Sequence, residues 1–101
     1  MSGVAFVYRW RARPGLEAQC EQAWAEVTDD MRARGSGGSC LHRAEDGTYV
    51  AYARWKSRAH RDECFAAAGV TDARRRLRES IETDLEVMEL TVVDDRLADA
   101  R

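Results

Sequence analysis

The chain has 101 residues, of which 45% are hydrophobic and 34% charged, and a formal net charge of -2. This length predicts one domain over residues 1–101, and the charge lacks the basic excess of a nucleic-acid-binding module, so no nucleic-acid partner is expected. No apolar run is long enough for a membrane span, and the opening MSGVAFVYRW has no basic start, so neither a membrane partner nor a signal peptide is expected.

Val4–Ala12 alternates as a strand, with Val4, Phe6, Tyr8 and Trp10 on one face and Ala5, Val7, Arg9 and Arg11 on the other. Pro14-Gly15 breaks it. Leu16, Cys20, Trp24, Val27 and Met31 then recur at helical spacing, with Glu17 and Glu21 near the start and Arg32 and Arg34 near the end, as the helix dipole favours. Gly35 is the expected stop. Gly35–Ser39 reads as a turn or mobile link beside a pocket mouth.

Cys40–Ser57 reads as a hairpin about Asp46-Gly47, for which a type I′ turn is expected. Its second strand, Thr48–Trp55, hands the chain to a helix capped by Ser57, spanning about Arg58 to Ala68 and ended by Gly69. Thr71-Asp72 starts another helix, along which Ala73, Leu77, Ile81 and Leu85 fall four apart. Arg75–Glu79 and Arg78–Glu82 are the expected i,i+4 pairs. Glu86–Val93 is the last strand, with Met88, Leu90 and Val92 toward the main apolar row and Val87, Thr91 and Val93 away from it. Asp94–Arg101 reads as a frayed tail.

This order predicts an α+β domain: the ferredoxin-like βαββαβ arrangement, one antiparallel four-stranded sheet with helices on one face. Its other face is apolar enough to need a cover, and a second copy is the simplest one, so a homodimer through the open sheet face is expected. Cys20, Cys40 and Cys64 are an odd, widely spaced set without C-x-x-C. They read as reduced, half-buried thiols in a cytoplasm, with no metal site.

The element order, YRWRARPG at Tyr8–Gly15 and ARWKS at Ala53–Ser57 resemble the antibiotic biosynthesis monooxygenase superfamily. The likeness spans Val4 to Val93. It implies a dimeric α/β barrel and, among the family's activities, a cofactor-independent monooxygenase acting on a small aromatic or quinonoid metabolite. In that chemistry the pocket stabilises a phenolic anion, which reacts with oxygen itself. No cofactor is implied. Haem degradation is disfavoured: Tyr8-Arg9 stands where haem-degrading members have Asn-Arg, Cys64 where they have Trp, and Arg74 where they have the haem-ligating His. Ala51 stands where quinone-forming members place an Asn. A non-catalytic ligand-binding or structural dimer is therefore the alternative.

For the catalytic roles the sequence offers Tyr8, as a donor to a phenolate, and His42, whose imidazole suits a general base. For substrate binding it offers Phe6, Trp24, Trp55, Phe65 and Arg74, the last by its match to the family's pocket ligand. Five of these have a structural alternative: Trp24 and Trp55 as core aromatics, Tyr8 as a buried, satisfied tyrosine, His42 as a surface residue, and Arg74 as part of a solvated face. His60 is expected to face solvent.

Overall fold

The computed structural model describes residues 3–100. Met1, Ser2 and Arg101, at the ends of the segments read above as the opening stretch and the frayed tail, lie outside them. The elements are β1 (Val4–Ala12), α1 (Glu17–Ala33), β2 (Ser39–Arg43), β3 (Tyr49–Trp55), α2 (Arg58–Ala68), α3 (Asp72–Ser80) and β4 (Ile81–Thr91). The four strands form one antiparallel sheet in the order β2-β3-β1-β4. This is the expected ferredoxin-like α+β arrangement.

Alternation along β1 and β3 fixes which side chains meet the helices. Phe6 and Trp55 pack with Met31 of α1 and Cys64 of α2 in one buried cluster. Trp10, Tyr49 and Ala51 pack with Cys20 in a second. Trp10 donates its indole N–H to the Cys20 sulfur at 3.3 Å and stacks on Tyr49 with ring centroids 5.7 Å apart. Tyr8 touches both clusters.

Local expectations are corrected at several points. The hairpin is not a type I′ turn, because Gly47 (φ 85°) has positive φ and no other residue type does among the described residues. Ala44 N donates to Thr48 O and Gly47 N to Ala44 O, which makes a three-residue loop with glycine in the left-handed position. Asp46 Oδ1 closes it by accepting from Thr48 N and Oγ1 at 3.0 and 2.7 Å.

The third helix stops at Ser80, and Ile81 and Leu85 belong to β4 instead. Arg13 N donates to Ser80 O at 2.8 Å and Ala12 pairs with Ile81, so ladder pairing with β1 outcompetes another helical turn. Arg75–Glu79 forms at 3.0 Å, whereas Arg78 pairs with Asp84 at 2.8 Å because Glu82 has left the helix.

The faces of β4 are exchanged. Ala5 pairs with Leu90 and Val7 with Met88, so Met88 and Leu90 lie on the open face while Val87, opposite Tyr8, lies on the helix side. The unbroken register from the Val4–Thr91 pair to the Arg9–Glu86 pair sets these faces; the shifts at Arg9/Trp10 and Arg11/Ala12 fall earlier in β4.

The Gly35–Ser39 link is tied down: Gly37 N donates to Arg54 O, Arg54 N to Gly38 O, and Ser36 Oγ to Arg54 O. In the tail, Asp95 holds Arg54 at 2.6 Å although 94–100 has no regular structure. Cys20 and Cys64 are buried and Cys40 is exposed.

Helix α2 begins where Ser57 Oγ accepts from His60 N at 3.1 Å. Ser57→Ala is expected to lower stability by about 1 kcal/mol. Chemical denaturation that finds the midpoint unchanged sinks this account of the cap.

Candidate functional site: an apolar cavity between sheet and helices

On the helix side β3 presents Tyr49, Ala51, Ala53 and Trp55 in succession. The two alanines sit beside Tyr8 and Phe6 of β1. Their methyl groups cannot fill the space that aromatic side chains fill at either end of the strand. The result is a cavity of about 680 Å³, walled by Trp24, Val27 and Met31 of α1, Phe65 of α2, Leu77 of α3, and Tyr8 and Trp55 of the sheet. Its volume falls in the range of small-molecule sites. Val87 of β4 lines it and is 64% exposed, so the helix layer leaves the cavity open over β4.

The Tyr8 hydroxyl belongs to the sheet side of the cavity wall. Arg61, also in the wall, donates to it from Nε at 2.9 Å and Nη2 at 2.7 Å. Burial pushes the Tyr8 pKa above 10.0, and the Arg61 charge and hydrogen bonds only partly oppose this. Tyr8 is therefore a neutral phenol at physiological pH. Around the mouth the ions are paired: Arg75 with Glu79 and Arg78 with Asp84. Ser36 and Ser39 of the glycine-rich link line the wall as well, in keeping with its expected place beside a pocket mouth.

The structure brings Tyr8, Trp24, Trp55, Phe65 and Arg74 together around this space. Arg74 is largely committed. It donates to Phe65 O and Gly69 O, and its guanidinium lies 5.0 Å from the Phe65 ring centroid. Phe6 is not in the wall; it lies under Arg61, 4.5 Å from the guanidinium.

His42 is not at the cavity. It pairs with Val50, on the sheet face opposite Ala51, and is exposed. Its Nδ1 donates to Val50 O at 3.0 Å, since a carbonyl can only accept. Nor does His60 face solvent as expected. It is half-buried, edge-on to Trp55 at 5.7 Å, with Nε2 3.6 Å from the Cys64 sulfur.

Arg61 is the cavity-wall residue that sequence reasoning passed over. It stands among Arg58, Asp62 and Glu63 and reads there as one more surface charge. The available signal was helical spacing: Arg61 is one turn before Phe65, so both point to the same face.

The raised Tyr8 pKa sets a pH dependence. A tyrosine favoured in its neutral form contributes stability that is present below its ordinary value and lost as pH rises through the folded one. Tyr49 is raised too, by burial and then by its hydrogen bond to Glu21. Stability is thus expected to decline above pH 10.0, and Tyr8→Phe is expected to remove one late-ionising phenol. A near-ultraviolet titration of the native protein showing no loss in that variant contradicts the assignment.

No family model matches the chain, and no curated protein does. Solved structures do. One from Bordetella bronchiseptica, provisionally named an antibiotic biosynthesis monooxygenase, has a TM-score of 0.77 at 23% identity, covering 92% of this chain and 99% of that one. A structure of the same provisional name from Chloroflexus aurantiacus has a TM-score of 0.80 at 18% identity, with coverages of 94% and 97%. SnoaB, a cofactor-independent oxygenase from Streptomyces nogalater, has a TM-score of 0.72 at 20% identity, with coverages of 96% and 97%. The chain therefore has the ferredoxin-like fold of the antibiotic biosynthesis monooxygenase structures.

Proposed function

We propose that this protein is a cofactor-independent monooxygenase for a small aromatic or quinonoid metabolite, working as a cytoplasmic homodimer. The observation that carries the reading is the cavity of about 680 Å³ where a filled core could stand, with aromatic and aliphatic walls and a neutral phenol donor at Tyr8. The fold shared with SnoaB, itself a cofactor-independent oxygenase, supports the reaction class.

In such a reaction an electron-rich phenol or its keto tautomer loses a proton, and the resulting anion passes electrons to oxygen. A carbon–oxygen bond forms as a hydroperoxide, which loses water to leave a carbonyl. The net change is CH₂ plus O₂ to C=O plus H₂O. The protein's part is to exclude water with the aromatic walls and to donate from Tyr8 to the developing oxyanion. No histidine lines the cavity among the described residues. This observation favours the alternative, a ligand-binding or structural dimer without chemistry.

The dimer reading rests on the open sheet face, where Met88 and Leu90 are 40% and 36% exposed beside Val7. A second copy laid there buries these side chains. Free thiols at Cys20, Cys40 and Cys64 suit a reducing compartment.

Oxygen-electrode assays with anthrones and hydroquinones are expected to show uptake of one O₂ per anthrone. Ala53→Leu is expected to retain or raise the melting temperature while cutting turnover more than about tenfold, since it fills space that the fold does not need. No uptake with any compound, despite ligand-induced change in tryptophan fluorescence, leaves the non-catalytic reading standing. Sedimentation is expected to give twice the 11.4 kDa chain mass; a monomer at micromolar concentration refutes the dimer.

A further inference from the structure

The two hydrogen bonds that Tyr8 receives restrict what it can offer a ligand. A hydroxyl has two lone pairs and one proton. Arg61 Nε and Nη2 both donate to the Tyr8 oxygen, at 2.9 and 2.7 Å, and so occupy its accepting capacity. Only the O–H remains. Arg61 is itself held in place. Its guanidinium lies 4.5 Å from the Phe6 ring centroid, 5.1 Å from that of Phe65 and 5.7 Å from that of Tyr8. Its Nη1 donates to Asp62 Oδ1 at 2.9 Å.

We propose that the Arg61-clamped Tyr8 hydroxyl selects ligands by polarity: it takes a hydrogen-bond acceptor such as a ketone, quinone or phenolate oxygen, and gives nothing to a ligand that offers only an N–H donor. The inference rests on the cavity being a ligand site, as proposed above, and specifies the chemistry of its occupant. A flat aryl ketone suits this part of the wall: its rings match Trp24, Trp55 and Phe65, and its oxygen matches the Tyr8 proton. A donor-only ligand meets an oxygen already saturated and a proton facing its own. The polarising cation also makes the O–H a stronger donor than an isolated phenol. Arg61 is thus a positioning residue, acting on the ligand through Tyr8.

The test uses three bicyclic probes of nearly equal size: 1-indanone, an acceptor; indole, a donor only; and indane, neither. Affinities come from NMR titrations that follow the indole N–H signals of Trp24 and Trp55. In the wild type 1-indanone is expected to bind about tenfold more tightly than indole and indane. In Tyr8→Phe, which removes only the hydroxyl, all three are expected to fall within about twofold of one another. In Arg61→Met the Tyr8 oxygen becomes free to accept, so indole is expected to gain on indane and the advantage of 1-indanone to shrink. That reversal has no counterpart in a merely structural role for Arg61. Equal binding of all three probes by the wild type overturns the selection and leaves the ligand site intact. No binding of any probe at millimolar concentration overturns both. Should Arg61→Met fail to fold, Tyr8→Phe still decides: an unchanged preference for 1-indanone sinks the proposal.

Discussion

The spacing of large and small side chains on the helix-facing side of β3 governs this molecule. Tyr49 and Trp55 stand at the strand's ends and each anchors a buried cluster, while Ala51 and Ala53 stand between them. The helices rest on the two aromatic ends and bridge the gap. A leucine or phenylalanine buried at either alanine would contribute about 1.5–3 kcal/mol of apolar burial. The chain forgoes that in a domain whose whole stability is on the order of 5–15 kcal/mol. An open, roomy, apolar space kept against such a gain points to a ligand rather than to packing.

The charges follow the same division between inside and outside. The exposed arginines of α3 are taken up by Asp72, Glu79, Glu26 and Asp84. Pairs this exposed are worth under about 1 kcal/mol each, so they order the rim more than they stabilise the fold. Arg61 differs in kind. It spans the space between Phe6, Phe65 and Tyr8, and its cost of burial is offset by ring faces and a hydroxyl instead of a buried carboxylate. Arg61 therefore reaches the cavity wall with its carboxylate partner, Asp62, next to it in the chain. The Tyr8 hydroxyl there is directional: a phenol proton with its oxygen already engaged.

Where reading by residue type fell short, the competing physics is identifiable. Asp46-Gly47 suits a two-residue turn, but the Asp46 carboxylate found better partners in Thr48 and drew the chain into a longer loop. The four-residue rhythm through Ile81 and Leu85 imitates a helix, yet the same residues serve β1 through ladder hydrogen bonds. The faces of β4 were set by its register on β1, which puts Val87 opposite Tyr8 and Met88 opposite Val7. His42 has the right chemistry for a base and the wrong parity. It sits one residue from Leu41, which packs inward, and successive strand residues point to opposite faces.

The element order, the inward rows of β1 and β3, and the caps at Ser57 and Thr71 were determined by the sequence itself, and five of the seven residues it offered, Tyr8, Trp24, Trp55, Phe65 and Arg74, line the cavity. Periodicity and capping act over a few residues, and those ranges are legible in a linear string. Whether Ala51 and Ala53 open a cavity or collapse under a helix depends on how far Trp55 and Tyr49 hold α1 and α2 off the sheet. The meeting of Arg61 with Tyr8, 53 positions apart, depends on strand register and helix placement together. These are long-range distances, set only when the layers pack, and they alone decided what this site can hold.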